Sequence, residues 1–274
     1  MNFRQALLGA AFGIASIGLA LPAFSAAPAI SAPPSGPVYP AANPKGQYAK
    51  LNALPDWGGV WTLKFRPAAA PAGGPPAPPR ERPDPKGKWL EAYNAAKKAA
   101  DANNGEMPRQ GSYCNAPGVP YIMGVGQYPM EFLFTPGRIT TLHEAWTGQR
   151  RIYTDGRPHP PEDELDPSFY GHSIGHWEGD TLVVETIGLK DTTSIATGIG
   201  HSEKMKVVER IHLAKGDPNT MIDEMTITDP DALTKPFHQE YQYTRHRDLE
   251  LLEFICAEND RNPLNEKGTA GLKP

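Results

Sequence analysis

The chain has 274 residues, a net charge of −4 and a sequence pI near 6.1. That length suffices for one large or two small domains, and the acidic balance offers no basic field to a nucleic acid. Gly-rich phosphate loops and nucleotide fingerprints are absent, Gly124-Val125-Gly126 lacking the third glycine and the strand–helix setting, so no cofactor is expected.

Residues 1–27 read as a secretory signal peptide, with Arg4 in a positive n-region, an apolar run from Leu7 to Leu21, and small residues at Ala23, Ser25, Ala26 and Ala27 for cleavage. The apolar run is too short for a comfortable membrane span, and no cysteine follows it to carry a lipid. A periplasmic or secreted product without a membrane span is expected. Residues 28–50, rich in Ala, Pro and Ser, read as a disordered tether.

A single domain is expected over 51–263. Gly59-Val60-Trp61 opens its first strand and resembles the first strand of lipocalin-type barrels, where the Trp plugs the closed end. A Pro-rich insertion covers 67–87. Residues 88–102 read as a helix, with Trp89, Ala92, Tyr93, Ala96, Ala99 and Ala100 at i, i+3, i+4 spacing and Asn103-Asn104-Gly105 ending it. Its stripe is expected to pack on the barrel.

From Gln127 the chain alternates strand and turn. The strands read as 130–135, 138–146, 149–154, 172–177, 181–187, 205–213, 220–228, 238–245 and 249–256, with turn signals at Pro136-Gly137, Asp155-Gly156, Glu178-Gly179 and Gly216-Asp217 among others. The expected fold is all-β: an antiparallel meander closing into a lipocalin-like β-barrel, with one N-terminal amphipathic helix. A β-sandwich is the alternative, and 264–274 is a flexible tail. The two cysteines, Cys114 and Cys256, are most simply a disulfide in an oxidising compartment, tying the entry of the core to its last strand.

Chemistry concentrates in one hairpin, 170–187. Gly171-His172-Ser173-Ile174-Gly175 matches the G-x-S-x-G nucleophile elbow, but the elbow needs a helix after the serine and a strand pattern follows instead. His172 and His176 share a strand face. A two-residue Glu178-Gly179 loop pairs His172 with Glu185, whereas a Gly179 bulge loop pairs it with Val184; the register stays open.

Arg150-Arg151-Ile152-Tyr153-Thr154-Asp155-Gly156-Arg157-Pro158-His159-Pro160, followed by the run from Tyr170 to Thr186, resembles a large group of secreted bacterial β-barrel proteins. His201-Ser202-Glu203, Val207-Val208-Glu209-Arg210, Cys114 and Cys256-Ala257-Glu258-Asn259 extend the likeness over roughly 55–263. The resemblance implies an exported barrel, without a settled reaction, and singles out Arg151, Tyr153, Asp155, His159, Tyr170, His172, His201 and Glu209.

Taken physically, Tyr170 and His172 are a candidate acid–base pair, and Arg151 is a candidate anion stabiliser. His201 joins them as a catalytic candidate. Tyr153, Asp155, His159, Glu185, Glu209 and His176 are candidates for substrate binding. No metal is expected: H-x-x-x-H on a strand separates the rings by about 13 Å, and no H-E-x-x-H occurs beside His143-Glu144. The reading is a periplasmic, cofactor-independent enzyme performing lyase, hydratase or isomerase chemistry on an apolar or aromatic small molecule in a β-barrel cavity. A lipocalin-like carrier of a hydrophobic metabolite and a Ser173 hydrolase are the alternatives.

Overall fold

Nine strands close into a ring in chain order. They are β1 (Val60–Leu63), β2 (Met130–Thr135), β3 (Arg138–His143), β4 (Gly148–Tyr153), β5 (His172–Glu178), β6 (Thr181–Ile187), β7 (Lys206–Ala214), β8 (Asp217–Thr228) and β9 (Phe237–His246). The computed structural model describes residues 48–64, 81–102, 105, 107, 114–126 and 128–254. The signal peptide, most of the tether and of the Pro-rich insertion, Asn103, Asn104, Cys256 and the tail lie outside the described residues.

Period-two patterning decides which side chains enter the lumen. Val207, Glu209 and Ile211 on β7 alternate with outward Val208 and Arg210, and Met221, Asp223, Met225 and Ile227 do the same on β8. Ile139, Ile152, Leu182, Val184, Phe237 and Tyr243 complete an interior filled by side chains. Closure removes every sheet edge, which for an all-β chain is also protection against edge-to-edge association.

The meander has one interruption. Strand directions cannot alternate around a ring of nine, so one neighbouring pair must be parallel. That pair is β4 and β5, joined through Ile152↔Ser173 and Tyr153↔Ile174; the other eight pairs are antiparallel. A parallel neighbour cannot be reached by a tight turn, so residues 154–171 form a long crossover.

Turn chemistry fixes the hairpins. Gly137, Gly179 and Gly216 all take positive φ, in two-residue loops closed by Thr135↔Arg138, Glu178↔Thr181 and Ala214↔Asp217. The β5–β6 loop is therefore Gly179-Asp180, which places Ile174, and neither His172 nor His176, opposite Glu185. His172 faces Ile187. Neither sequence register is the observed one.

Other boundaries also move. The strand expected over 138–146 stops at His143, because Trp146 and Thr147 take positive φ in the turn. No strand forms over 249–254; β9 itself closes the ring on β1. Residues 251–254 instead dock on the β3–β4 turn, with Leu252 N–H donating to Glu144 and Phe254 packed on Tyr128 and Trp146. The helix runs Gly87–Asp101 (α2), and a helical turn, α1 (Tyr48–Leu51), replaces the last residues of the expected tether. The packed stripe of α2 is narrower than read: Trp89, Tyr93, Ala96 and Ala100 are at least half-buried, whereas Ala92 and Ala99 are exposed.

Trp57 closes one end of the barrel, in edge contact with Phe132 at 5.1 Å and Trp177 at 5.3 Å. Trp61 is fully buried beneath the Arg245 guanidinium at 4.7 Å, so a Trp does fill the first strand's interior face. At the entry to β5, Gly171 has φ +63°, and a Cβ there would stand 2.5 Å from the Ile187 carbonyl. Gly171→Ala should lower stability by about 1–3 kcal/mol, measured by chemical denaturation; a change within about 0.3 kcal/mol would refute the packing argument.

Candidate functional site

Two polar clusters lie on opposite sides of the same strands. The first fills the lumen. Arg150 on β4 reaches across to Glu209 on β7: Nη1 donates to Oε1 at 2.9 Å and Nη2 donates to Oε2. Nη2 also donates to Thr186 Oγ1 at 2.8 Å, Nε to Ser173 Oγ at 3.2 Å, and Nη1 to Met123 Sδ at 3.9 Å. These contacts occupy all five guanidinium donors. Burial works against the Arg150 charge and the Glu209 carboxylate more than offsets it, so its pKa moves up.

Beside this pair, Asp223 is fully buried and neither carboxyl oxygen has a hydrogen-bond partner. Burial, then the Glu209 charge, push its pKa well above the ordinary carboxylate range, so it holds its proton. His143 hydrogen-bonds Thr141 at 3.0 Å, and burial holds its pKa down at about 3, with the Arg150 charge adding to the effect. The interior thus carries one compensated ion pair and neutral neighbours.

The second cluster lies on the outer wall, where the crossover folds over β4, β5 and β6. His159 Nδ1 and His172 Nδ1 are 2.8 Å apart, so one carries a proton and donates it to the other. Tyr153 stacks on His172, with ring centres 5.2 Å apart, and the Arg157 guanidinium lies 4.1 Å from the Tyr153 ring centre. Asp155 holds Arg157 through Nε at 2.9 Å and through Nη2. The Asp155 carboxyl is held below its usual range by that hydrogen bonding. On the far side, Glu185 Oε1 lies 3.6 Å from His159 Nε2, and Oε2 pairs with Lys206 at 3.2 Å.

Both imidazoles are held neutral. Burial, then His159, then Arg157 lower the His172 pKa to about 4, and burial lowers that of His159. The ring pair therefore stays uncharged at neutral pH while sharing one proton at Nδ1.

Five of the sequence candidates, His172, Tyr153, Asp155, His159 and Glu185, are brought together here, but outside the barrel. The expectation of a site in the barrel cavity is corrected: His172, Ile174 and His176 face out, while Ser173 and Trp177 face in. Tyr170 does not pair with His172. It packs on the core beside Gly148, its hydroxyl is buried without a partner, and burial pushes its pKa to about 12. His201 orders the β6–β7 loop through Thr193 at 2.6 Å and the Ser202 carbonyl at 2.7 Å, away from the pair. His176 is exposed, and pairs with Glu178 at the strand end. Glu209, a substrate-binding candidate, belongs to the lumen and is held by Arg150, whereas its neighbour Arg210 faces out and bonds Glu178.

Ser173 is no elbow. It sits within β5, fully buried, with its Oγ 2.8 Å from that of Thr186, and β6 follows rather than a helix. Arg151 is exposed on the outer face; extending the β4–β5 register by one residue sets it level with His172.

Sequence reading missed Arg150, Asp223, Arg157 and Lys206. Period two would have found the first two: Arg150 has the parity of Ile152, and Asp223 that of Met221 and Met225. Among the described residues no group of three or more His, Cys, Asp or Glu side chains is arranged to hold a metal ion, and no helix is long and apolar enough to cross a membrane. No family model, no curated protein and no solved structure matches the chain.

Proposed function

We propose that the protein is a cofactor-independent enzyme acting on an apolar or aromatic small molecule by acid–base chemistry of the lyase, hydratase or isomerase class. Its site is the outer-wall cluster, with His172 as the base. The observation that carries this reading is the His159–His172 contact, 2.8 Å between Nδ1 atoms. Two neutral imidazoles sharing one proton offer a proton acceptor on one ring and a donor on the other, at a pH where free histidine is partly charged. Arg151, level with His172 and without an ion pair among the described residues, stabilises the anion formed when the substrate loses its proton.

The proposal includes export to the periplasm or medium, membership of the secreted bacterial group that the 150–186 motifs resemble, and a Cys114–Cys256 bridge. The bridge is supported by a chain with two cysteines, the absence of a free cysteine among the described residues, and the docking of 251–254 on the β3–β4 turn.

The test is mass spectrometry of apolar and aromatic metabolites incubated with the parent protein and with His172→Gln. A compound consumed by the parent, with a new mass appearing, should be turned over at least about a hundredfold more slowly by the variant. His172 is half-exposed, so the variant should keep its melting behaviour. An equal rate would remove His172 as base, and a compound recovered unchanged from both proteins would identify a carrier instead.

A further inference from the structure

The outer-wall pair has a direction. We infer that Glu185 fixes the tautomers of the two imidazoles, so that His172 presents a bare Nε2 to the substrate and the charge it gains is relayed to His159. This rests on the reading of the outer wall as an acid–base site, and goes further by assigning each proton.

Lys206 Nζ pairs with Glu185 Oε2 at 3.2 Å, which anchors an otherwise half-exposed carboxylate and leaves Oε1 facing His159 Nε2 at 3.6 Å. That nitrogen is buried and has no hydrogen-bond partner. At 3.6 Å the contact is too long for a hydrogen bond, yet it discriminates between tautomers. A lone pair on Nε2 aimed at a carboxylate oxygen is repelled, and an N–H there is attracted. His159 is therefore the Nε2–H tautomer, and its Nδ1 carries the lone pair.

The rest follows from the single proton between the rings. If His159 Nδ1 accepts, His172 Nδ1–H donates, and His172 Nε2 has no proton. The hydrogen bond His172 makes among the described residues is at Nδ1, which leaves Nε2 without one. The base is thus at Nε2 of His172, on a ring kept in place by the Tyr153 stack and by the Arg157 guanidinium held over Tyr153.

The proton balance is simple. His172 Nε2 takes one proton from the substrate, and the electron pair of the broken bond stays on the substrate. The Nδ1 proton of His172 passes to His159 Nδ1. His159 becomes an imidazolium facing Glu185, and His172 is left neutral with an Nε2–H that it can return at a second position as the Nδ1 proton passes back from His159, which restores both starting tautomers. No oxidant, reductant or metal enters. Glu185 is a positioning residue in this scheme, since it touches neither substrate nor reacting atom.

The experiment is long-range proton–nitrogen correlation NMR on full-length protein carrying ¹⁵N-histidine, at pH 7.5. The expected spectrum shows His159 as Nε2–H and His172 as Nδ1–H, the less common form in free histidine. In Glu185→Gln the tautomer ratio at His172 should shift at least tenfold toward Nε2–H, and Lys206→Met should shift it the same way by less. His172 found as Nε2–H in the parent overturns the inference, whether or not the variants fold. An unmoved ratio in a folded Glu185→Gln overturns the role of the carboxylate. The two readings separate cleanly: wrong tautomers with His172-dependent turnover remove the relay alone, and correct tautomers with turnover indifferent to His172→Gln remove the enzyme reading.

Discussion

Arg150→Met should cost about 3–5 kcal/mol of folding stability, or prevent folding. The substitution leaves Glu209, with no exposed surface, without its one cationic partner among the described residues and beside the equally buried Asp223. It also strips Ser173 and Thr186 of a donor. The cost is that of an uncompensated buried charge, not the net worth of the ion pair. Two charges removed from water gain little over a well-packed apolar pair of similar volume. The double variant Arg150→Met/Glu209→Leu should therefore recover most of the loss. Guanidinium unfolding of the three proteins checks both statements. A single variant within about 1 kcal/mol of the parent would mean that Glu209 reaches water or gives up its charge cheaply.

Acidification should unfold the barrel early, and His143 should account for a large part of it. Its pKa is about 3 in the fold, against 6.5 for a free histidine, chiefly because the ring is buried. The unfolded chain takes up a proton below pH 6.5 and the folded chain refuses it until about pH 3. The stability tied to this group is thus fully present above pH 6.5 and lost as the pH falls through that window, on the order of 5 kcal/mol in all. His172, with its pKa near 4, adds a contribution of the same sign over pH 6.5 to 4. His143→Gln, which keeps a partner for Thr141, should flatten the dependence. Urea midpoints from pH 7 to pH 4 provide the measurement, and parallel curves for parent and variant would refute the assignment.

The ring of strands was legible because alternation and turn glycines are local signals. Eight of the nine expected segments from 130 onward fall on β2–β9, and Gly137 and Gly179 mark their hairpins. What sequence could not settle was which face each strand turns inward. A shift of one residue in reading Gln149-Arg150-Arg151-Ile152-Tyr153 exchanges the lumen arginine for the exposed one. The same ambiguity hides that His172 faces out and Ser173 in, although Ser173 shares its parity with Trp177. The His159–His172 contact was beyond local reading for another reason. It depends on where an 18-residue crossover lands, which the closed ring decides, and no pattern inside 154–171 records it. The shift at the β5–β6 turn shows the limit in miniature: Glu178-Gly179-Asp180 announces a loop, but only pairing across the whole sheet selects Gly179-Asp180.

The parallel seam between β4 and β5 divides the molecule's labour. Everything that keeps the ring closed, from the Trp57 end to the Arg150–Glu209 pair, looks inward from strands whose spacing cannot change. His159, Asp155 and Arg157 belong to a crossover whose length the ring leaves free. Long surface connections tolerate substitution and insertion far better than the strands they join. On the proposed reading of the outer wall, this one segment can vary around a retained His159 while the strands that carry His172, Tyr153 and Glu185 stay as they are, so the seam that parity forces on nine strands is where the surroundings of the imidazole pair are free to change.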